Sequence, residues 1–233
     1  MTIVLRGLQS LLHRLYDVEH DHDVCDFLIT DRGALSHFEP DNDHRTLEEE
    51  LLLAETLDGS GAGVALFLDA ELLQRLEKTD PVGALTEENL ADYCTALEGV
   101  SHFVYSTWRL SRGLPVSLLE LETQAEVDKY AVTVFLTGLQ QGPGPDQAFG
   151  AALRGRYPAH VHNRLFERVT FDARLDAHQY ERYRTAHRCA ARFCRELERR
   201  FVNRGVARIE ALVRELRKFY RLGSAQKLRY ASS

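Results

Sequence analysis

Four side chains stand out for the chemistry their spacing allows: Glu98, His102, Glu122 and Glu126. Over residues 87–112, Leu90, Cys94, Leu97, Ser101, Val104 and Trp108 recur at steps of four and three, the seam of a helix packed on a core. One position further round, Glu98, His102, Tyr105 and Arg109 keep the same rhythm and border that seam. The stretch 116–137 is apolar nearly all round, so its helix is expected to be central; yet Glu122, Glu126 and Lys129 stack at i, i+4, i+7, with Glu120 and Asp128 nearby. A short link around Gly113–Pro115 predicts that the two helices form an antiparallel hairpin, so that carboxylates from both meet one imidazole. Such a group could bind a metal or act as a general base. Di-iron bundles place a Glu-x-x-His pair on each of two helices, and this chain contains none, since Glu98 and His102 are four apart. The residue types name no cofactor and leave the identity of a metal open. The competing reading is a purely structural ion network, Glu126 with Lys129 and Glu98 with His102, because buried charge is costly unless paired.

Other constellations carry less. The run Glu19-His-Asp-His-Asp23 approaches the His-x-His-x-Asp-His motif of metallo-β-lactamases, but Val24 and Cys25 stand where Asp and His are required, so it reads as a polar turn. His160-Val-His162 would put two imidazoles on one face of an extended segment, with no third ligand nearby. Gly59-Ser-Gly-Ala-Gly63 lacks the Lys-Ser/Thr of a phosphate loop and reads as a turn. There is no Gly-x-Ser-x-Gly elbow. Cys25, Cys94, Cys189 and Cys194 form no Cys-x-x-Cys pair and read as buried free thiols in a reducing compartment. On a helix starting at Asp176, Tyr180, Tyr183, His187, Ala190, Ala191 and Cys194 mark a core face, with His187 at its edge.

The elements that must position these groups give an α+β fold, predominantly α: a small N-terminal antiparallel sheet packed on several long helices. An amphipathic helix is expected over 3–16, and a strand over Val24–Thr30. Two apolar runs, Leu51–Glu55 and Val64–Leu68, flank the glycine-rich turn as a hairpin, in preference to a helix started by the capping box of Thr46 and Glu49. A short helix follows over Ala70–Glu77. Thr86 caps a helix running to Arg112; others are expected over Val116–Thr137, Asp176–Asn203 and Val206–Leu222. The chain reads as a single domain, 1–233, with a subdivision on offer at the Gln140–Asp146 loop: a mixed part, 1–138, and a helical part, 147–233. The strings Glu98-Gly-Val-Ser-His-Phe-Val-Tyr105 and Leu118-Leu-Glu-Leu-Glu-Thr-Gln-Ala-Glu-Val-Asp-Lys-Tyr130 resemble those of an uncharacterised bacterial protein family. The resemblance implies no activity, cofactor or partner.

Of 233 residues, 44% are hydrophobic and 27% charged, which is ample for a core and argues against wholesale disorder. No stretch has the roughly 18 apolar residues of a membrane span, and the first residues lack a signal-peptide pattern, so the expected location is cytoplasmic. The net charge of −6 conceals a split. Residues 1–100 carry 6 Lys+Arg against 22 Asp+Glu, whereas residues 180–233 carry 15 against 5. Two accounts compete: the basic helices lie across the acidic N-terminal part of the same chain or of a second copy, or their face is free for nucleic acid or another acidic partner. The expected function is that of a non-enzymatic interaction protein whose basic C-terminal helices, with Arg214, Arg217, Lys218 and Arg221, engage an acidic protein surface or a second copy of the chain, ahead of nucleic acid. The alternative is a small-molecule enzyme with the Glu98, His102, Glu122 and Glu126 site between helices 87–112 and 116–137.

Overall fold

The structure, a computed structural model, describes residues 2–19, 21–35, 48–55, 62–141, 157–171, 173–202 and 209–232. Among the described residues the chain is predominantly helical with one small sheet. It divides into two compact units, Met1–His13 with Val18–Pro115, and Arg14–Asp17 with Val116–Ser233. Of the glycine- and proline-rich region where the sequence offers a subdivision, residues 142–156 lie outside the described residues.

Helix α1 (Thr2–Tyr16), which belongs to the first unit up to His13, buries Val4, Leu5, Leu8, Leu11 and Leu12, as its spacing predicts. The strand expected from Val24 is mostly a 3-10 turn, Val24–Phe27. Asp23 accepts a hydrogen bond from the Cys25 amide at 3.0 Å, and this cap tightens the chain before it can extend. Only Leu28–Ile29 remain as β1. The hairpin forms as expected from β2 (Glu49–Glu55) and β3 (Ala62–Leu68), in antiparallel register from Glu49↔Leu68 to Glu55↔Ala62. Residues 56–61, and with them most of the glycine-rich turn, lie outside the described residues, as does Thr46. Because β1 pairs with β3 in parallel, the sheet is mixed, in order β1-β3-β2, rather than antiparallel throughout. Leu35, Leu52 and Phe67 form a core cluster on it; Leu35 ends the short helix α2 (Arg32–Leu35).

Helix α3 (Ala70–Lys78) is capped by Asp69, which accepts from the Glu71 amide at 2.9 Å and is paired with Arg32. Helix α4 (Leu90–Leu110) begins later than Thr86. Asn89 occupies the preceding loop, accepting from the Thr86 amide at 2.8 Å and donating to the Thr79 and Ala84 carbonyls at 2.8 and 2.9 Å, so residues 86–89 are held as a turn. At Gly99 the helix meets the hairpin so closely that an added Cβ would lie 2.8 Å from Glu49 Cγ and 2.9 Å from Leu66 Cδ1. The chain leaves α4 through Gly113 at φ 63°, a left-handed position that glycine takes without strain.

The second unit is helical: α5 (Leu118–Gln141), α6 (Tyr157–His162), α7 (Ala177–Leu197), α8 (Ile209–Tyr220) and α9 (Ser224–Ser232). Helix α5 runs through Gly138, where the sequence suggested a stop. It is buried on nearly every side, as its apolar surround predicts, and packs along α7. Asp176 and Gln179 form a complete capping box at the start of α7. Helices α6 and α7 each end in a π-turn, Asn163–Glu167 and Glu198–Val202. The expected helix ends at Leu222, and the sequence reading assigned no element beyond it, where α9 forms; Phe193 of α7 stacks on Phe219 of α8 with ring centroids 4.0 Å apart, and α9 packs on α7 and α5. Among the described residues, no helix is long and apolar enough to cross a membrane.

Candidate functional site

The four acid and imidazole groups chosen from sequence fall in different units, Glu98 and His102 in the first, Glu122 and Glu126 in the second. In the first unit, Glu98 and His102 share a face of α4, with a carboxylate oxygen and a ring nitrogen within 4.8 Å of each other. His102 is buried, and its Nδ1 faces Glu49 Oε1 of β2 at 3.3 Å. Sequence spacing pairs His102 with Glu98 alone; the second carboxylate comes from a strand, and the only hint of its approach is Gly99. An imidazole flanked by carboxylates is suited to passing a proton or to sharing a cation.

In the second unit, Glu122 lies 3.6 Å from Arg182 of α7. One turn on, Glu126 Oε1 accepts from Lys129 Nζ at 2.8 Å, and Oε2 faces His187 Nδ1 at 3.0 Å. His187 Nε2 faces the Phe166 carbonyl at 3.1 Å. Both ring nitrogens thus point at acceptors, which only the imidazolium can satisfy. Burial by itself would lower the His187 pKa, but the hydrogen bond and charge of Glu126 outweigh it and raise the pKa. For Glu126, burial acts to raise the carboxyl pKa, and the Lys129 charge with the bonds from His187 and Lys129 brings it down to about 2. Glu126, Lys129 and His187 together tie α5 to α7.

A second polar group within the unit was not foreseen. Tyr16, from the 14–17 segment, donates to Asp128 at 2.5 Å; Gln124 Nε2 donates to the same carboxylate at 2.7 Å; Lys227 Nζ donates to Gln124 Oε1 at 2.5 Å. All four side chains are buried. Burial, then the Asp128 charge and hydrogen bond, push the Tyr16 hydroxyl pKa well up, so it stays a donor. Lys227 reads from sequence as one of the basic C-terminal residues; its place inside the unit is set by tertiary packing under Phe219, 5.1 Å from the ring centroid. His160 and His162, weighed as a metal pair, lie in a helix instead of a strand, and two positions apart there they point away from each other: His160 is exposed and His162 is buried against the Ala191 carbonyl.

The basic helices are used unevenly. Arg217 donates to the Leu15 and Arg14 carbonyls at 3.0 and 3.2 Å and sits 3.4 Å from Asp17; Arg221 donates to the Tyr16 carbonyl at 3.4 Å. These are the last carbonyls of α1, left without helical partners, so the two arginines cap it. Lys218 lies over the Tyr230 ring at 4.7 Å, and Arg214 lies 3.7 Å from Glu210, with the Arg214 and Glu210 side chains largely in solvent. Arg188 and Arg192 of α7 and Arg229 of α9 are exposed, and among the described residues no acidic side chain lies within 4.0 Å of any of them. Arg188 and Arg192 also line a cleft of about 230 Å³ between α7 and α9. Comparison of the chain with protein-family models, with curated proteins and with solved structures gives no match.

Proposed function

We propose that the chain is a non-enzymatic interaction protein that engages an acidic protein surface through the exposed cations of α7, α8 and α9. The observation that supports this most is that Arg188, Arg192 and Arg229 are exposed with no acidic side chain within 4.0 Å among the described residues, and that Arg214 and Lys218 of α8 are exposed as well. Exposed guanidinium groups without acidic neighbours raise the local potential and steer anionic partners. A partner of the right sign is present in the sequence itself, the strongly acidic residues 1–100 of a second copy.

Sedimentation velocity at low and high salt tests the reading. The full chain should self-associate, less so as salt rises. Changing Arg188, Arg192, Arg214 and Arg229 together to Ala should weaken association by about tenfold or more. A chain that stays monomeric, while binding mixed-sequence nucleic acid tightly and with a steep salt dependence, would overturn it in favour of a nucleic-acid partner.

A further inference from the structure

Helix α7 carries five arginines, and the pattern of their pairing is informative. Arg182, Arg184 and Arg195 have carboxylate partners, Glu122, Glu181 and Glu167. Arg188 and Arg192 have none among the described residues, and they are the two that line the cleft. Thr185, Arg188, Cys189 and Arg192 fall at i, i+3, i+4 and i+7, one face of α7; Leu228 and Ala231 of α9 form the opposite wall. The rim is therefore cationic and the wall apolar. The Cys189 thiol points to the Lys227 carbonyl at 3.6 Å, and burial pushes its pKa up to about 11, so it contributes a neutral, weakly polar surface.

We propose that this cleft binds a small organic oxyanion, a carboxylate or phosphate carried on a short aliphatic body. The oxyanion lies between the Arg188 and Arg192 guanidinium forks, whose geometry suits planar and tetrahedral oxyanions. The Thr185 hydroxyl is available to the same group, and the aliphatic part rests on Leu228, Ala231 and the Cys189 thiol. The volume limits the occupant: about 230 Å³ is below the roughly 300–1,000 Å³ of sites that take drug-sized ligands. The site goes beyond the interaction reading and stands whether or not the basic helices hold a protein.

Calorimetric titration of the full chain with n-butyl phosphate tests it, with pentanoate to separate phosphate from carboxylate, and inorganic phosphate and n-butanol as the two halves of the ligand. Butyl phosphate, pentanoate or both should bind saturably at one site and more tightly than either half. Arg188→Ala with Arg192→Ala should weaken binding by about tenfold or more. Ala231→Trp, which fills the apolar end, should reduce butyl phosphate to the level of inorganic phosphate. Arg195→Ala, an exposed arginine of the same helix outside the cleft, should change nothing. Absence of saturable binding, equal binding by inorganic phosphate, or an Arg195→Ala effect as large as that of the double variant would overturn the proposal.

Discussion

Removing Glu126 takes away the acceptor of both Lys129 and His187 at once. Glu126→Ala should therefore cost about 3 kcal/mol in chemical denaturation, and the loss should be non-additive with His187→Ala, since the two share one interaction. The two ends of the triad also set opposite pH limits. Glu126 has its carboxyl held at about 2, below its ordinary 4.5, so its contribution is present above pH 4.5 and is lost as pH falls toward 2. His187 has its pKa raised above 6.5, so its contribution is fully present below pH 6.5 and is lost as pH rises through the raised value. The stability difference between the native chain and His187→Ala should accordingly shrink on going from pH 6 to alkaline pH, and growth of that difference would contradict the assignment. The Glu126–Lys129 pair was legible because it lies within one helix. The His187 partner, 61 positions away, and the Lys227 donor, 103 positions from Gln124, were not, because nothing local distinguishes an engaged imidazole or a buried lysine from its solvated counterpart. Lys227→Met keeps the aliphatic stem and removes the donor to Gln124. It should cost about 1–3 kcal/mol through the amide oxygen left without this bond.

At the level of elements, local signals succeeded where the competing partners were also local. The amphipathic stripe of α1, the β2–β3 hairpin and the Asp176 start of α7 follow from residues a few positions apart. Asp176→Ala should lower stability by about 1 kcal/mol, read by thermal or chemical unfolding, because both halves of the capping box are lost. Failures cluster where a side chain was spent elsewhere. Asn89 holds the loop before α4 and delays the helix that Thr86 would start, and Asp23 turns the expected strand into a 3-10 turn. The π-turns after α6 and α7 have no sequence mark at all, since a widened turn is tolerated only where packing on neighbouring helices compensates. Arg217 and Arg221 are a further case, basic residues that read as surface charge and act as a C-terminal cap for another helix. Changing both to Ala should cost about 1–2 kcal/mol, with less of the loss recovered by salt than for an exposed ion pair.

Over the whole molecule, the charge split was plain from sequence, while the division of labour among the cations was not. Counting charges shows an excess of ten in the last 54 residues; only coordinates separate arginines that cap a helix, arginines that pair with glutamates, and those left facing solvent. The glycine-rich loop is conspicuous in sequence, whereas the packing of α5 along α7 within the second compact unit is not. Residues 14–17 belong to the second unit although the rest of α1 belongs to the first. Tyr16 stacks on Tyr220 with ring centroids 4.1 Å apart and supplies the donor to Asp128, while the same short segment gives Arg217 and Arg221 their acceptors. A cut at residue 115 therefore does not yield a self-sufficient half. The fragment 116–233 should be poorly folded when expressed alone, and a synthetic peptide spanning residues 2–19 should rescue it in trans, with Tyr16→Ala abolishing the rescue. The pair would then behave as a split protein whose reassembly reports on a single tyrosine.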